Sequence, residues 1–93
     1  MILSFKDKET ERIWNQLPIR KLDRGVQIVA LRKLFMIARA HSLRDLQLVP
    51  GNRIELLKGD RAGQHSIRIN EKWRLCFRWE AGNAYEAEIA DYH

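Results

Sequence analysis

The sequence holds a single cysteine, Cys76, and only two prolines in 93 residues. One cysteine excludes an intramolecular disulfide and any cysteine-based metal cluster, so a reducing cytoplasm is the expected setting. Its neighbours Leu75 and Phe77 mark it as a buried, inert thiol. No apolar run approaches the roughly 20 residues needed to span a bilayer, and MILSFKDKET lacks the apolar core of a signal peptide. A soluble chain without a membrane partner is therefore expected. There is no carboxylate pair of glycosidase type, no Gly-rich phosphate cradle and no His/Cys set at metal-ligand spacing. That leaves no support for a metal or a small-molecule cofactor.

What is present is positive charge. Seventeen Lys and Arg stand against twelve Asp and Glu, a net charge of +5 that favours a polyanionic partner. The length suits one domain, residues 1–93, around one hydrophobic core.

The first half reads as helical. MILSF starts as a short strand, and Ser4, three residues before Asp7, resembles a capping-box entry. Thr10, Ile13, Trp14 and Leu17 form a stripe at i, i+3, i+4 and i+7, and Pro18 is expected to stop this helix. GVQIVALRKLFMIARA then forms a second helix whose apolar face is broader than one core contact needs. It suits packing on the first helix and on a sheet, with a flank left for a partner protein. Arg12, Arg20, Lys21, Arg24, Arg32, Lys33 and Arg39 read as solvated helix positions that can also meet an acidic partner or ribosomal RNA. His41 is expected to close this helix, its charge complementing the dipole.

From the turn signal VPGN at residues 49–52 the pattern becomes strand-like. RIELLK, QHSIRIN, WRLCFRW and AYEAEIADY are rich in β-branched and aromatic residues, and KGDRAG, Glu71–Lys72 and EAGN separate them. The expected fold is α+β: a short N-terminal strand and two helices packed on one face of a mostly antiparallel β-meander. Placing the apolar residues on one face sets Ile69 opposite Leu75, Ile67 opposite Phe77, Ala87 opposite Phe77 and Ile89 opposite Leu75. His65 then packs near Trp79. Arg68, Asn70, Arg74 and Arg78 share the other face, Arg78 meets Glu86, and Tyr92 lands near Arg74 and Arg68.

That polar face gathers arginines, and the preceding loops add Arg53, Lys58 and Arg61. The residues Asp91, Tyr92 and His93 bring an acid, a phenol and an imidazole. Metal-free cleavage of RNA by its own 2′-hydroxyl needs such a set: a base, cations for the phosphorane, and an acid for the leaving 5′-oxygen. His93 titrates near neutrality. Arg74 and Lys58 can hold phosphate, Tyr92 can stack on an unpaired base, and Asp91 can orient His93 or act as base. Arg53, Arg61, Arg68 and Arg78 are the candidate nucleic-acid contacts. A passive RNA-binding sheet satisfies the same pattern, so nuclease and binding module both stay open on these grounds.

The block ELLKGDRAGQHSIRINEKWRLCFRW followed by ADYH resembles the HigB-type toxins of the RelE/ParE superfamily, especially the subgroup called killer proteins. The similarity spans essentially the whole chain: the lysine before Gly-Asp-Arg, the Ser-Ile strand, the Trp-Arg strand start and Asp-Tyr-His occur together and in order. It implies a RelE-like fold and a ribosome-dependent mRNA endonuclease that cuts in the A site of the 70S ribosome and leaves a 2′,3′-cyclic phosphate. It also implies a HigA-type helix-turn-helix antitoxin as partner. By position, Lys58, Arg74, Asp91, Tyr92 and His93 match the family's catalytic set. Some members carry a histidine three residues before the lysine, where this sequence has Glu55, which reads as a solvated strand residue rather than a base. The related ParE branch, directed at gyrase, is the alternative the resemblance allows.

Overall fold

The computed structural model describes residues 1–91. The expected positions of Tyr92 and His93 therefore lie outside the described residues.

Helix α1 spans Lys8–Trp14 and α2 spans Arg24–Arg39. Each begins on an aspartate whose carboxylate accepts from a backbone N–H of the first turn: Asp7 from Thr10 and Asp23 from Val26, both at 2.9 Å. Such side-chain caps satisfy donors that the helix cannot pair internally. Asp7, not Ser4, starts α1. The Ser4 hydroxyl instead accepts from the Glu86 N–H at 2.9 Å. Nor does Pro18 end the helix, because α1 stops four residues earlier and Gln16 turns left-handed at φ 59°. Leu17 consequently leaves the stripe and lies 45% exposed. A third helix, α3, Leu43–Gln47, was not expected from the sequence. Its start is fixed by Asp45, whose Oδ2 accepts from the His41 and Ser42 N–H groups at 2.8 and 3.3 Å. His41 lies beyond the end of α2, exposed, rather than closing it.

The second half forms β1 (Glu55–Leu56), β2 (His65–Arg68), β3 (Arg74–Glu80) and β4 (Asn83–Ala90), an antiparallel sheet in the order β1-β2-β3-β4. A 3-10 turn, Gly59–Arg61, lies between β1 and β2. The N-terminal residues add two parallel bridges to β4, Ile2 with Ala84 and Phe5 with Ala87. β3 and β4 are joined by Ala81 and Gly82, both left-handed at φ 49° and 81°, as a tight two-residue hairpin turn requires.

Leu75 does face Ile89, as expected, but the pairing of β2 with β3 is displaced by two residues. Ile67 lies opposite Leu75 and His65 opposite Phe77. The cause is Asn70, whose side-chain oxygen accepts from the Lys72 and Trp73 N–H groups at 2.9 and 2.7 Å and tightens the connection. An even displacement turns no side chain over, so both faces keep their expected residues. Between Cys76 and Arg78 the β3–β4 register shifts, with Glu86 left-handed at φ 53°, so Arg78 pairs with Tyr85 across the sheet. Its guanidinium nevertheless reaches Glu86 at 3.0 Å.

Phe77, Leu75, Ile67, Ala84, Ala87 and Ile89 meet Leu34, Ile37, Ala30 and Ile13 of the helices in one core. Burying each of the larger apolar side chains here contributes roughly 1.5–3 kcal/mol. Thr10, read as part of the apolar stripe, is buried with its hydroxyl accepting from the Ile89 N–H at 3.0 Å. Among the described residues no helix is long and apolar enough to cross a membrane.

Candidate functional site

Opposite the helices, β2, β3 and β4 present Ser66, Arg68, Arg74, Cys76 and Glu88 on one face, with β1 at its edge. Arg74 is the centre of this face and only 8% exposed. Its Nε donates to Ser66 Oγ at 2.8 Å, while Nη2 donates to the backbone oxygens of Arg53 and Ser66. A buried guanidinium needs such acceptors, and their planar arrangement fixes the direction of the fork. Arg53 is held left-handed at φ 45°. Strain of this kind persists where surrounding structure enforces it.

The surrounding structure here is Asn52. Read from the sequence as part of a turn, it is fully buried, and its Nδ2 donates to the Leu46 carbonyl at 3.0 Å. Its Oδ1 accepts from the Lys33 ammonium, and its backbone oxygen accepts from the Arg68 N–H at 2.7 Å. Lys33, expected on a solvated face, is thus buried, and its pKa is lowered by desolvation first and then by Arg32 and Arg68. α2, α3 and β2 all converge on the segment that carries the Arg53 carbonyl. Ser66, Asn52 and Lys33 are the residues that sequence reasoning missed. Ser66 alone left a signal, through its alternation with Ile67 on the Arg74 face.

The register sets Arg74 opposite Ala90, so Asp91 follows directly beyond the Arg74 end of the sheet, where it is exposed and engaged in a contact of its own. Arg68 pairs with Arg74 across β2–β3. Glu55 lies opposite Ser66 in β1 and is exposed, as expected of a solvated strand residue, while engaged in a contact of its own. Lys58 is exposed where β1 leads into the 3-10 turn, its carbonyl accepting from the Arg61 N–H at 3.3 Å.

The remaining expected cations divide. Arg61 is drawn onto the sheet by Glu88 at 2.8 Å and by Gln64 at 3.2 Å. Lys6 reaches the same carboxylate at 3.8 Å. Arg78 is held by Glu86 and lies close to Gly63, where an added Cβ would come within 3.0 Å of Nη1. Gly63 is also left-handed, at φ +87°. The structure thus ties Arg53 and Arg68 to the Arg74 and Asn52 network through their backbone groups, and places Arg61 and Arg78 in ion pairs.

Cys76 lies under this face with Leu57 and Ala90, and burial pushes its thiol up. His65 is on the core face, stacked on Phe77 at 6.1 Å, and Phe77 in turn meets Trp79 edge-on at 6.3 Å. The His65 Nδ1 is buried with no hydrogen-bond partner among the described residues, and burial lowers its pKa. Neither residue is arranged for chemistry. Among the described residues no three His, Cys, Asp or Glu side chains gather as metal ligands.

Comparison with known proteins fits this architecture. The chain is 38% identical over 85 residues to Toxin HigB-1 of Vibrio cholerae serotype O1, covering 90% of each chain. It is 42% identical over 41 residues to Endoribonuclease HigB of Proteus vulgaris, covering 44% of this chain and 45% of that one. A heterotetrameric YoeB–YefM toxin–antitoxin complex from Staphylococcus aureus contains a chain with the same fold, at TM-score 0.61 and 20% identity over 100% of this chain and 98% of that one. A second YoeB–YefM complex from that organism matches at TM-score 0.58 and 17% identity, with the same coverage. The model of the family described as the RelE-like toxin of type II toxin–antitoxin system HigB matches residues 3–93, and the chain belongs to that HigB-like toxin family.

Proposed function

We propose that this toxin is an endoribonuclease that cuts mRNA in the ribosomal A site and is neutralised by a HigA-type helix-turn-helix antitoxin. The observation that carries the reading is Arg74, a guanidinium anchored in the sheet by Ser66 and the Arg53 carbonyl, one strand away from the residue that precedes Asp91. A fixed cation of this kind can stabilise charge as it develops on a phosphorus centre, without reorganising at the moment of reaction.

In the proposed reaction the 2′-hydroxyl of one nucleotide attacks the adjacent phosphorus. The O2′–P bond forms and the P–O5′ bond breaks, leaving a 2′,3′-cyclic phosphate and a 5′-hydroxyl. Arg74 and Lys58 hold the phosphoryl oxygens. The 2′-hydroxyl proton passes to a base, for which Asp91 and Glu55 are the carboxylate candidates, and His93 supplies a proton to the leaving 5′-oxygen. Tyr92 stacks on the unpaired base or bonds near the scissile group. The chemistry asks no metal of these residues, and it takes place in the cytoplasm, where ribosomes expose a codon.

The test incubates the protein with programmed ribosomes and maps the mRNA 5′ ends and their termini. Cuts within the A-site codon that end in a 2′,3′-cyclic phosphate are expected. Tyr92→Ala with His93→Ala should lower cleavage about 100-fold or more, the scale of general acid–base catalysis. Wild-type cutting by that double variant would refute the residue assignment. Inhibition of gyrase supercoiling without any mRNA cleavage would refute the reaction itself.

A further inference from the structure

The segment from the end of α1 to the start of α2 frames an open groove of about 450 Å³, floored by Ile13, Leu17, Ile19, Ile28 and Leu31. Two of these are large apolar side chains left bare: Leu17 is 45% exposed and Ile28 is 60% exposed. Arg24, Gln27, Ile28 and Leu31 share one face of α2 at i, i+3, i+4 and i+7, while the core takes Ala30, Leu34 and Ile37 from the other. Further along α2, Phe35 is 42% exposed in a second hollow between Arg32 and Arg39. The strip follows a helix of 16 residues, a length of about 24 Å.

The groove is built rather than loose. Gln27 Nε2 donates to the Ile19 and Leu22 carbonyls at 3.2 and 2.6 Å, and the Arg12 guanidinium grips the Pro18 carbonyl at 3.2 and 3.0 Å. Side chains thus pin the connecting segment to both helices, so little ordering is required when the groove fills.

Its rim is mostly basic. Arg24 borders the groove, and the adjoining hollow shares Pro18 and Ile19 and adds Arg12, Arg20 and Lys21 against the one acid Glu9. Among the described residues, ion pairs engage Lys6, Arg61 and Arg78, and none engages Arg20, Lys21, Arg24 or Arg32. A second copy of this chain would bring cations against cations. Nucleic acid would use the charge yet cover neither Leu17 nor Ile28.

We infer that this groove is the seat of the antitoxin, which enters it with an acidic amphipathic helix. Apolar side chains at i, i+3/i+4 and i+7 of that helix fill the floor, and flanking Asp and Glu meet Arg20, Lys21, Arg24 and Arg32. The inference rests on the toxin–antitoxin reading above and names the surface that reading leaves open. Since Arg24 and Ile28 belong to no part of the cleavage network, the face can be altered while that network stays intact.

The experiment measures, by calorimetric titration, the affinity of the toxin for the antitoxin encoded with it, alongside cleavage on programmed ribosomes. Ile28→Asp should weaken the complex about 10-fold or more, because an anchoring side chain is lost and a like charge faces the acidic helix. Ile28→Lys should weaken it less. Arg24→Glu should weaken it about 10-fold at low salt and much less at 1 M salt, where the Debye length falls to about 3 Å. All three variants should melt like wild type and keep A-site cleavage. Undiminished affinity in Ile28→Asp and Arg24→Glu would overturn the inference, as would Ile28→Lys weakening the complex more than Ile28→Asp. So would a loss of cleavage at unchanged antitoxin affinity, which would assign the face to the ribosome. Self-association of wild type that Ile28→Asp abolishes would assign it to a second copy. A wild-type toxin that leaves mRNA intact, while its variants still lose antitoxin affinity, refutes the nuclease and keeps the docking surface.

Discussion

Replacing Ser66 by alanine tests whether the sheet aims Arg74. Ser66 is fully buried, and its hydroxyl accepts from Arg74 Nε at 2.8 Å. A hydrogen bond to a charged group contributes about 1.5–3 kcal/mol, and here its loss leaves a buried donor without that acceptor. For a domain of this size such a loss lowers the melting temperature by about 6–24 °C. The guanidinium keeps the Arg53 and Ser66 carbonyls, so it stays in place but is free to pivot about them. Misplacing a positioned group by an ångström costs up to about 100-fold in rate, so single-turnover cleavage on saturated ribosomes should fall about 10- to 100-fold, while the concentration for half-saturation changes little. Cys76→Ala is the matched control. It removes a buried side chain directly opposite Ser66 without touching Arg74, so it should lower stability and leave the cleavage rate alone. Wild-type cleavage by Ser66→Ala, or an equal rate loss in Cys76→Ala, would refute the idea that Ser66 positions the charge.

Three other outcomes follow from buried groups. The pKa of His65 is lowered from 6.5 by burial, so as pH falls below 6.5 the unfolded chain takes up a proton that the folded one refuses, and stability drops. His65→Phe, which keeps the stack on Phe77, should flatten that acid limb in urea titrations; an unchanged limb would show that another group causes it. Lys33→Met leaves Asn52 Oδ1 without its ammonium donor and should cost about 1–3 kcal/mol. Because the folded Lys33 pKa lies below 10.5, wild type gains stability as pH rises towards that value and the variant does not, so its deficit should widen with pH; a constant deficit would contradict the burial of the charge. Cys76 is buried and its thiol is pushed up, so a thiol reagent should modify it only as fast as the domain unfolds. Rapid labelling of the folded protein would count against that packing.

The sheet was readable because alternation with a period of two survives errors in pairing. Ile67, Ile69, Leu75 and Phe77 reached the core face although β2 and β3 pair two residues away from the expected register. What failed depended on single side chains acting locally. Asn70 tightened a connection, Gln16 ended α1 before Pro18 could, and Asp45 organised a five-residue helix too short to carry a period. The expectation of Arg74 on a polar face held, since composition and alternation both speak to it. Its immobilisation was not legible. The Arg53 carbonyl, Asn52 and Lys33 come from segments that read as turn and helix surface, and only the folded chain brings them together.

The parallel bridges of Ile2 and Phe5 to β4 couple residues some eighty positions apart. Their contacts include the Ser4 hydroxyl with the Glu86 N–H, at a separation of 82 residues. Closing so large a loop carries an entropic cost that must be met before the pairing rewards it, and such contacts form late when folding is limited by chain topology. During synthesis, β4 can seat against β3 and receive the first residues only once position 90 has cleared the ribosome. The first residues therefore stay unpaired until β4 has formed, and the sheet gains this parallel edge after its antiparallel meander.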